Sequence, residues 1–234
     1  MAHNRGMKDG TIKVELHSHT RHSRDCLLSY EAIIDVCRRR GVGALAVTDH
    51  NEIDGAFELQ RRAPFPIIVG EEVFTAQGEI IGLFLKEHIP RGLAAEETVA
   101  RIKEQGGLVY VPHPFDSYRK GAIGRETLDS IRADVDLIEA LNARNLRHED
   151  DEKALRYARE YGLVMAAGSD AHSVGEFGNA YLRMEPFDGP RDFLEKARRG
   201  VIGGRHSAGV VHLLSSYAKM HKRVVKRLGR VTGP

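Results

Sequence analysis

Short apolar runs alternate along the chain with longer segments whose apolar residues recur at helical spacing. The runs are rich in β-branched residues, as buried strands are, and lie at 12–16, 44–47, 67–69, 80–85, 108–111, 137–141 and 164–167. The helical segments lie at 30–40, 54–62, 95–105, 147–161 and 191–199, and all but the second are followed by a glycine. A hairpin is expected at 74–80, turning through Gln77-Gly78. The alternation of strands and helices predicts an α/β fold, either a barrel or a doubly wound sheet.

Side chains of the kinds that bind metals follow six of the seven runs. They are His17, His19, His50, Glu72, His113, Glu139, Asn142, Asp170 and His172. In a barrel the carboxyl ends of all parallel strands meet at one face, and that face holds the active site. A doubly wound sheet would instead concentrate the site near one switch point. Ligands that come from strands spread along the whole chain therefore favour closure into a barrel.

Composition restricts the class of protein. The chain has 234 residues, 41% of them hydrophobic and 29% charged, which excludes a disordered chain. The net charge is only +2, so the chain as a whole is no polycation. Two cysteines, Cys26 and Cys37, do not have the spacing of a zinc ribbon or a disulfide framework. Without an apolar signal sequence or a run of about 20 apolar residues, the expectation is a cytoplasmic protein with no membrane span.

The histidines and carboxylates form a candidate metal site. His17 and His19 are two apart on a strand, so their imidazoles share a face, and Asp170 and His172 repeat this spacing. A mixture of histidines and carboxylates suits zinc, manganese or iron and does not suit calcium. There are too many ligands for one four-coordinate ion, which predicts two or three divalent transition-metal ions. Such clusters stabilise the attacking and leaving oxygens in phosphoester hydrolysis, or in hydrolysis more broadly.

Five short motifs, in this order and at these spacings, resemble those of the PHP (polymerase and histidinol phosphatase) family. They are His17-Ser18-His19-Thr20, Thr48-Asp49-His50, Gly70-x-Glu72, His113-Pro114 and Ser169-Asp170-Ala171-His172. The resemblance extends from about Lys13 to about Ser207. It implies a distorted (βα)7 TIM-like barrel with a trinuclear metal site that hydrolyses phosphoesters.

The resemblance also assigns ligands residue by residue. One metal would bind His17, His19, Glu72 and Asp170; a second would share Glu72 and add His113; a third would bind Asp25, His50 and His172. The second metal usually has a further ligand, a histidine or similar group, near the sixth strand. This chain has Glu139 and Asn142 there, which leaves the coordination and occupancy of that site open.

Catalysis and substrate binding are expected at the same rim. His50, His172 and Asp170 are the candidate catalytic residues, with a histidine placed to protonate the leaving oxygen. Phosphate needs cationic partners, and the candidates on neighbouring loops are Arg119, Arg144, Arg205 and His206, besides Arg21, Arg24 and Lys120. The expected substrate is a phosphomonoester or phosphodiester, with a nucleotide or oligonucleotide favoured.

The last segment differs from the rest and divides the chain into a barrel domain at 11–207 and a basic amphipathic helix or tail at 208–234. No acidic residue occurs from Arg205 onward. The basic residues of this segment include Lys219, Lys222, Arg223, Lys226, Arg227 and Arg230, and its apolar stripe is Leu213, Leu214, Tyr217, Met220, Val224 and Leu228. The simplest expectation is a helix packed on the barrel with its basic side in water. Contact with a nucleic-acid backbone, an acidic partner or a membrane surface is the alternative.

Two other functions stay open. An amidohydrolase-type metal hydrolase also begins with His-x-His and ends with a metal-binding aspartate. It needs a bridging lysine, for which Lys86 at the end of the fourth run is the candidate, but the Gly-x-Glu and Asp-x-His motifs fit it poorly. A non-catalytic metal-binding regulatory module is the third hypothesis, and loss of metal ligands would be its sign.

Overall fold

A computed structural model describes residues 10–207, 209 and 211–231 of the chain. The strands are β1 (Ile12–Glu15), β2 (Val42–Val47), β3 (Ile67–Phe74), β4 (Glu79–Leu83), β5 (Leu108–Val111), β6 (Leu137–Asn142), β7 (Val164–Gly168), β8 (Ala180–Met184) and β9 (Val201–Gly204). The α-helices are α1 (Tyr30–Arg40), α2 (Asp54–Arg62), α3 (Ala95–Glu104), α4 (Arg125–Ile131), α5 (His148–Tyr161), α6 (Gly189–Ala197) and α7 (Val211–Val231). A 3-10 turn, Arg132–Asp134, follows α4.

All strands belong to one sheet in the order β7-β6-β5-β4-β3-β2-β1-β8-β9. The pairs β1–β2, β2–β3, β5–β6 and β6–β7 are parallel. Strand β4 runs antiparallel to both β3 and β5, because β3 and β4 form the expected hairpin. Strands β8 and β9 extend the sheet antiparallel beyond β1.

The sheet curls into a nearly closed barrel. The barrel closes at the carboxyl rim, where Ser18 just beyond β1 and Ala171 just beyond β7 form an isolated parallel bridge. The amide of His19 donates to the carbonyl oxygen of Ala171 at 2.9 Å, which completes this contact. The α/β class and the distorted TIM-like barrel expected from the sequence are confirmed.

The core has two layers, one on each face of the sheet. Strand β2 shows the division, because Leu45 and Val47 pack with the helices while Ala44 and Ala46 belong to the second cluster. Helix α6 adds Phe193 to that second cluster. Helices form where the sequence predicts them: α1 begins after the N-cap Ser29, whose side chain accepts from the amide of Ala32, and ends at Gly41 in the left-handed conformation.

Three elements were not predicted. Helix α4 is only seven residues long, so it shows little periodicity. Strand β8 alternates buried and half-buried residues and is held by its antiparallel pairing with β1. Strand β9 contains two glycines and no fully buried residue, so its composition does not resemble a core strand. Non-local pairing, rather than local propensity, forms both strands.

Helix α7 packs on the barrel with its apolar stripe facing solvent, whereas the sequence predicted that this stripe would face the barrel. Its large apolar side chains face solvent, with Leu213 69% and Met220 58% exposed. The residues that it buries are Val211, Ser215 and Ala218. Lys219 and Lys222 contact the barrel, so the prediction that the basic side lies in water is wrong for these two lysines. The side chains of Lys226, Arg227, Leu228 and Arg230 lie outside the described part of the chain.

The boundary between residues 207 and 208 stays a prediction, because the structure offers no independent test of it. Among the helices of the described chain, none is long and apolar enough to cross a bilayer.

Candidate metal centre

The candidate ligands converge at the carboxyl rim of the barrel. All eight predicted metal-ligating residues lie there, namely His17, His19, Asp25, His50, Glu72, His113, Asp170 and His172. The bridge between Ser18 and Ala171 sets the first and last pairs side by side. A second isolated bridge joins His50 to Glu72, so two more ligands are neighbours through their backbones.

Four distances in the first group of ligand atoms are close to those of a tetrahedral site, and its members His17, His19 and Glu72 could together hold a metal ion. The Nε2 atom of His17 lies 3.5 Å from Glu72 Oε2 and 3.7 Å from Asp170 Oδ1. The Nε2 atom of His19 lies 3.6 Å and 3.2 Å from the same two oxygens. None of these four atoms has a hydrogen-bond partner within the described chain, although all are buried. Metal–ligand distances of about 2.0–2.2 Å separate tetrahedral ligand atoms by about 3.4 Å, so the group fits a divalent metal.

The second group contains Glu79, which the sequence analysis missed. His113 Nε2 lies 3.0 Å from Glu72 Oε1 and 3.8 Å from Glu79 Oε2. His50 Nδ1 lies 3.6 Å from Glu79 Oε1, and His50, Glu72 and Glu79 together could hold an ion. The hairpin could have revealed Glu79: it pairs with Phe74, which is two residues after Glu72, so Glu72 and Glu79 share a face.

The third group brings together Asp25, His50 and His172. The two carboxylate oxygens of Asp25 face different histidines, with Oδ1 3.2 Å from His172 Nε2 and Oδ2 3.6 Å from His50 Nε2. His19 is also near, since His19, His50 and His172 form a set that could hold a metal ion. His50 therefore turns one ring nitrogen to this group and the other to Glu72.

Further polar residues orient the histidines. His17 Nδ1 lies 3.2 Å from Glu139 Oε1, and His172 Nδ1 lies 2.7 Å from the carbonyl oxygen of Asp170. The contact of His17 suits an Nδ1–H donor, which leaves its Nε2 lone pair for a metal. His172 Nδ1 also faces the donor Nη1 of Arg144 at 2.6 Å, so its two contacts require opposite roles of this nitrogen. His19 Nδ1 lies 2.9 Å from the hydroxyl oxygen of Ser23, which likewise suits an Nδ1–H donor and leaves Nε2 for a metal.

Asp49 fixes the hydroxyl of Ser23. Its Oδ1 accepts from the Ser23 hydroxyl at 2.6 Å and from the amide of Thr20 at 2.7 Å. Asp49 thus acts on the first group of candidate ligands through Ser23 and His19.

Glu139 and Asn142 are occupied by protein contacts. Glu139 Oε1 accepts from the hydroxyl of Tyr110, and its Oε2 accepts from the amide of His113 and the side chain of Asn142. The remaining Asn142 oxygen accepts from the amide of Arg144. Glu139 belongs to none of the groups of histidines and carboxylates that could hold a metal within the described chain, and the side chain of Asn142 is bonded to Glu139 and Arg144, so Glu79 replaces them as the candidate for the second site.

The electrostatics favour the metal-binding protonation states of two ligands. Burial, together with the neighbouring His172 and His50, lowers the pKa of His19 to about 3, so its imidazole is neutral at ordinary pH. Burial alone would raise the pKa of Asp170, but the guanidinium of Arg119 and the imidazole of His17 hold it well below its usual range. Asp170 is therefore a carboxylate.

Two ligands stand on strained backbone. His113 has φ 28° and Asp170 has φ 51°, in the region that favours glycine. Each such residue costs about 1–3 kcal/mol and persists where the surrounding structure enforces it. The strain turns both side chains towards the site just after β5 and β7.

A cavity of about 490 Å³ opens above the metal-binding groups. Its lining includes Asp25, His50, Glu79, Asp170 and His172 and the cationic side chains of Arg24, Arg119, Lys120, Arg144 and Lys219. A volume of this size suits a small-molecule ligand.

The predicted phosphate-binding residues are not all at this cavity. Arg119 lines it and bonds through Nη1 to Asp170 Oδ2. Arg144 also lines it, but its guanidinium is buried against His172 Nδ1 at 2.6 Å and donates to Ser215 Oγ at 2.7 Å. Arg144 therefore links His172 to Ser215, in addition to bordering the cavity where a substrate would bind.

Arg205 and His206 are not among the residues that line the cavity. His206 Nε2 lies 2.6 Å from Asp151 Oδ2, and Arg205 is exposed. Strand β9 runs antiparallel to β8, and the chain leaving it is tied by the bond from the Arg205 amide to the carbonyl oxygen of Asn179. The glycine-containing stretch before Arg205 thus joins the sheet edge and does not lead into the cavity.

Comparison with known proteins gives the family. The model of the PHP-associated family PHP_C matches residues 148–202. An uncharacterized protein of Methanocaldococcus jannaschii, MJ0417, is 37% identical over 195 residues, which cover 78% of each chain. The chain belongs to the PHP family.

Solved structures share the fold. One is a two-domain protein from Bacteroides vulgatus containing a predicted PHP-like metal-dependent phosphoesterase, with a TM-score of 0.67 at 20% identity. The match covers 83% of the present chain and 65% of that chain. Another is an amidohydrolase from Chromobacterium violaceum with bound sulfate and no metal, with a TM-score of 0.57 at 19% identity, covering 70% of the present chain and 88% of that chain.

Proposed function

We propose that the protein hydrolyses the phosphoester bond of a small phosphorylated molecule, nucleotides included, with two or three manganese, zinc or iron ions. One observation carries the proposal: buried ligand atoms without hydrogen-bond partners converge directly beneath a cavity lined by cationic side chains. The ligand atoms suit metals, and the cations suit a phosphate.

Bound metals would lower the pKa of a coordinated water towards about 7 and screen the charge of the phosphate. The chain's own groups do the rest. His17, His19, Glu72 and Asp170 hold the first ion, and Glu79 joins Glu72 and His113 around the second. With two ions bound, His50, whose side chain is 13% exposed and borders the cavity, would be free to protonate the leaving oxygen, with His172 behind it. With three ions bound, both histidines would be metal ligands.

Arg119 supports the binding of the phosphate. Its guanidinium stands between Asp116 and Asp170 and borders the cavity, with Lys120 beside it. Arginine suits phosphate because its planar donors match two oxygens at once. The sulfate bound to the amidohydrolase from Chromobacterium violaceum is an oxyanion of the same shape. The bound sulfate supports an anion-binding site on this fold.

An oligonucleotide substrate is less well supported than a small one. Helix α7 borders the cavity on one side with Ser215, Ser216 and Lys219, and the loop of Arg119 borders another. Lys219 and Lys222 face the barrel, so they do not form an open basic track for a polymer. Nucleic-acid binding through the rest of the basic helix stays a prediction.

An amidohydrolase activity is the second candidate, because a protein described as one shares the fold. The candidate for its bridging lysine, Lys86, does not lie at this site. Lys86 follows β4, which is antiparallel, so it lies at the opposite end of the sheet and lines a separate cavity with His88 and Arg101. The non-catalytic alternative is weakened by the presence of all eight expected ligands.

The test is an assay of the metal-loaded protein against p-nitrophenyl phosphate, its bis-ester, a panel of nucleotides and a panel of amides. We expect hydrolysis of phosphomonoesters that is lost on chelation and restored by manganese, zinc or iron. A protein that binds two or three metals and hydrolyses none of the phosphoesters would contradict the proposal. Hydrolysis of amides alone would favour the amidohydrolase activity. Hydrolysis of neither class of substrate would favour the non-catalytic regulatory module.

A further inference from the structure

Helix α7 borders the cavity with its polar side. Ser215, Ser216 and Lys219 line the cavity. The ammonium of Lys219 lies 3.2 Å from Asp25 Oδ2, an oxygen of the third metal-binding group. Little more than one turn of α7, the segment expected to pack on the barrel with its basic side in water, therefore forms part of the wall around the candidate metal centre.

Polar contacts with the site hold the helix in this position. Lys222 Nζ donates to the carbonyl oxygens of Arg21 and Ser23, on the loop that carries Asp25. On the other side, Arg144 donates to Ser215 Oγ and also contacts the metal-binding His172. The contacts of Lys222 and those of Ser215 thus both tie the helix to residues beside candidate metal ligands, Asp25 and His172.

Stability alone does not explain this orientation. Large apolar side chains, among them Leu213, Tyr217 and Met220, are more than half exposed, whereas the buried ones are Val211, Ser215 and Ala218. Turning the apolar stripe inward would bury far more apolar surface, at roughly 25 cal/mol for each Å². The orientation that the chain adopts instead brings an ammonium group to the cavity.

We propose that Lys219 is a substrate-binding residue: it binds a non-bridging phosphate oxygen of a phosphomonoester, which makes α7 part of the active site. This rests on the proposed phosphoesterase function. Asp25 would also be a ligand of the third metal, and the ammonium of Lys219 would then be available to an anion in the cavity. A terminal phosphate, which carries up to two charges, then lies among Lys219, Arg119 and Lys120. A diester has one charge and a second substituent that must pass the helix.

The experiment compares Lys219→Gln and Lys219→Arg with Arg223→Gln, a matched control on the exposed side of the same helix. Affinity of the metal-loaded protein for inorganic phosphate is measured by calorimetry, alongside KM and kcat for p-nitrophenyl phosphate and its bis-ester. Losing a charge-assisted hydrogen bond should weaken phosphate binding and kcat/KM for the monoester by about tenfold to a hundredfold. The arginine variant should recover part of this loss, and the bis-ester should be affected less.

Metal content and melting temperature are measured for each variant, and we expect them to equal those of the wild type. Lys219→Gln with wild-type phosphate affinity and kcat/KM would overturn the inference while leaving the phosphoesterase proposal intact. Equal losses in Lys219→Gln and Arg223→Gln would also overturn it, because they would show a general effect of charge. If the wild type hydrolyses no phosphoester, the proposed function fails, and the phosphate titration still decides whether Lys219 binds an anion.

Discussion

Ser18 and Ala171 pair through their backbones and thereby set the geometry of the metal centre. Each stands in the middle of a ligand-x-ligand motif, so the bridge places His17 and His19 opposite Asp170 and His172. Side chains on either side of a paired residue share one face of the sheet. The distance of 3.2 Å between His19 Nε2 and Asp170 Oδ1 is a consequence of this pairing.

Replacing Asp170 with Asn should abolish phosphoesterase activity and leave a folded barrel. The amide has nearly the same shape, but it removes the charge that faces both a metal and Arg119. We expect activity to fall at least about a hundredfold, with reduced metal content. Turnover numbers and elemental analysis check this. A variant with wild-type turnover and metal content would show that Asp170 is not a ligand.

Replacing Glu79 with Gln should weaken one metal site only. Glu79 faces His113 and His50, so its loss should lower the affinity of the second ion by about tenfold to a hundredfold while the first ion stays bound. Metal titration followed by elemental analysis measures both. Glu126→Gln, on the exposed side of α4, is the control. Unchanged affinity for every ion would show that Glu79 is not the further ligand of the second metal, and Glu139 or Asn142 would again be the candidate.

Removing the metals should lower the stability of the whole barrel. The ligands come from strands β1 to β7, and a metal that binds only the folded state stabilises it by about 4 kcal/mol when present at 1,000 times its dissociation constant. Thermal unfolding with and without a chelator measures the change, and we expect a clear fall in Tm. The effect should be smaller in Asp170→Asn. A Tm that does not respond to chelation would mean that metals bind elsewhere or not at all.

Replacing Glu15 with Gln should destabilise the protein. Glu15 is fully buried; its Oε1 accepts from the amide of Ser169 at 2.7 Å, and its Oε2 accepts from the amide of Gly178 at 2.9 Å and from the Ser169 hydroxyl. In the Glu15→Gln variant, the amide nitrogen would take the place of one of these two oxygens and would face N–H or O–H donors. This should lower the free energy of unfolding by about 1–3 kcal/mol. Urea unfolding of this variant and of the exposed control Glu195→Gln tests it. Equal stabilities would show that the buried carboxylate is not required.

Replacing His206 with Ala should change stability more than catalysis. His206 bonds Asp151, whose other oxygen accepts from the amide of Asn142 and the side chain of Asn145. We expect a loss of about 1 kcal/mol in the free energy of unfolding and nearly unchanged kcat/KM. The exposed Arg205→Ala should alter neither quantity. A large fall in kcat/KM with wild-type stability would instead support the substrate-binding role that the sequence suggested for these two residues.

Local patterns predicted the elements well because caps and periodicity are local. Helix α1 has the predicted bounds, and the runs at 12–16 through 164–167 all became strands. The convergence of the candidate metal ligands was also predictable, since strand ends in a barrel converge. The direction of β4 mattered more than its existence: the hairpin brings Glu79 to the site and sends Lys86 away from it.

The orientation of α7 could not be predicted from hydrophobicity. An apolar stripe normally packs inward, but here the contacts of Lys219, Lys222 and Ser215 with the rim of the barrel place it outward. Those partners lie more than 60 residues away in the sequence, so no local pattern reports them.

The pairing of Ser18 with Ala171 also determines when the metal centre can exist during synthesis. Asp170 follows His17 by 153 residues, so the first two ligands wait roughly 10–30 s for the last ones on the ribosome. Contacts of such long range form late, after the entropy of closing the chain has been overcome. Until β7 meets β1, the barrel has two open sheet edges and an incomplete set of ligands. The complete set of metals is therefore expected to bind only after β7 has joined the barrel, and a ribosome-bound fragment that ends before Asp170 should not retain the complete metal complement.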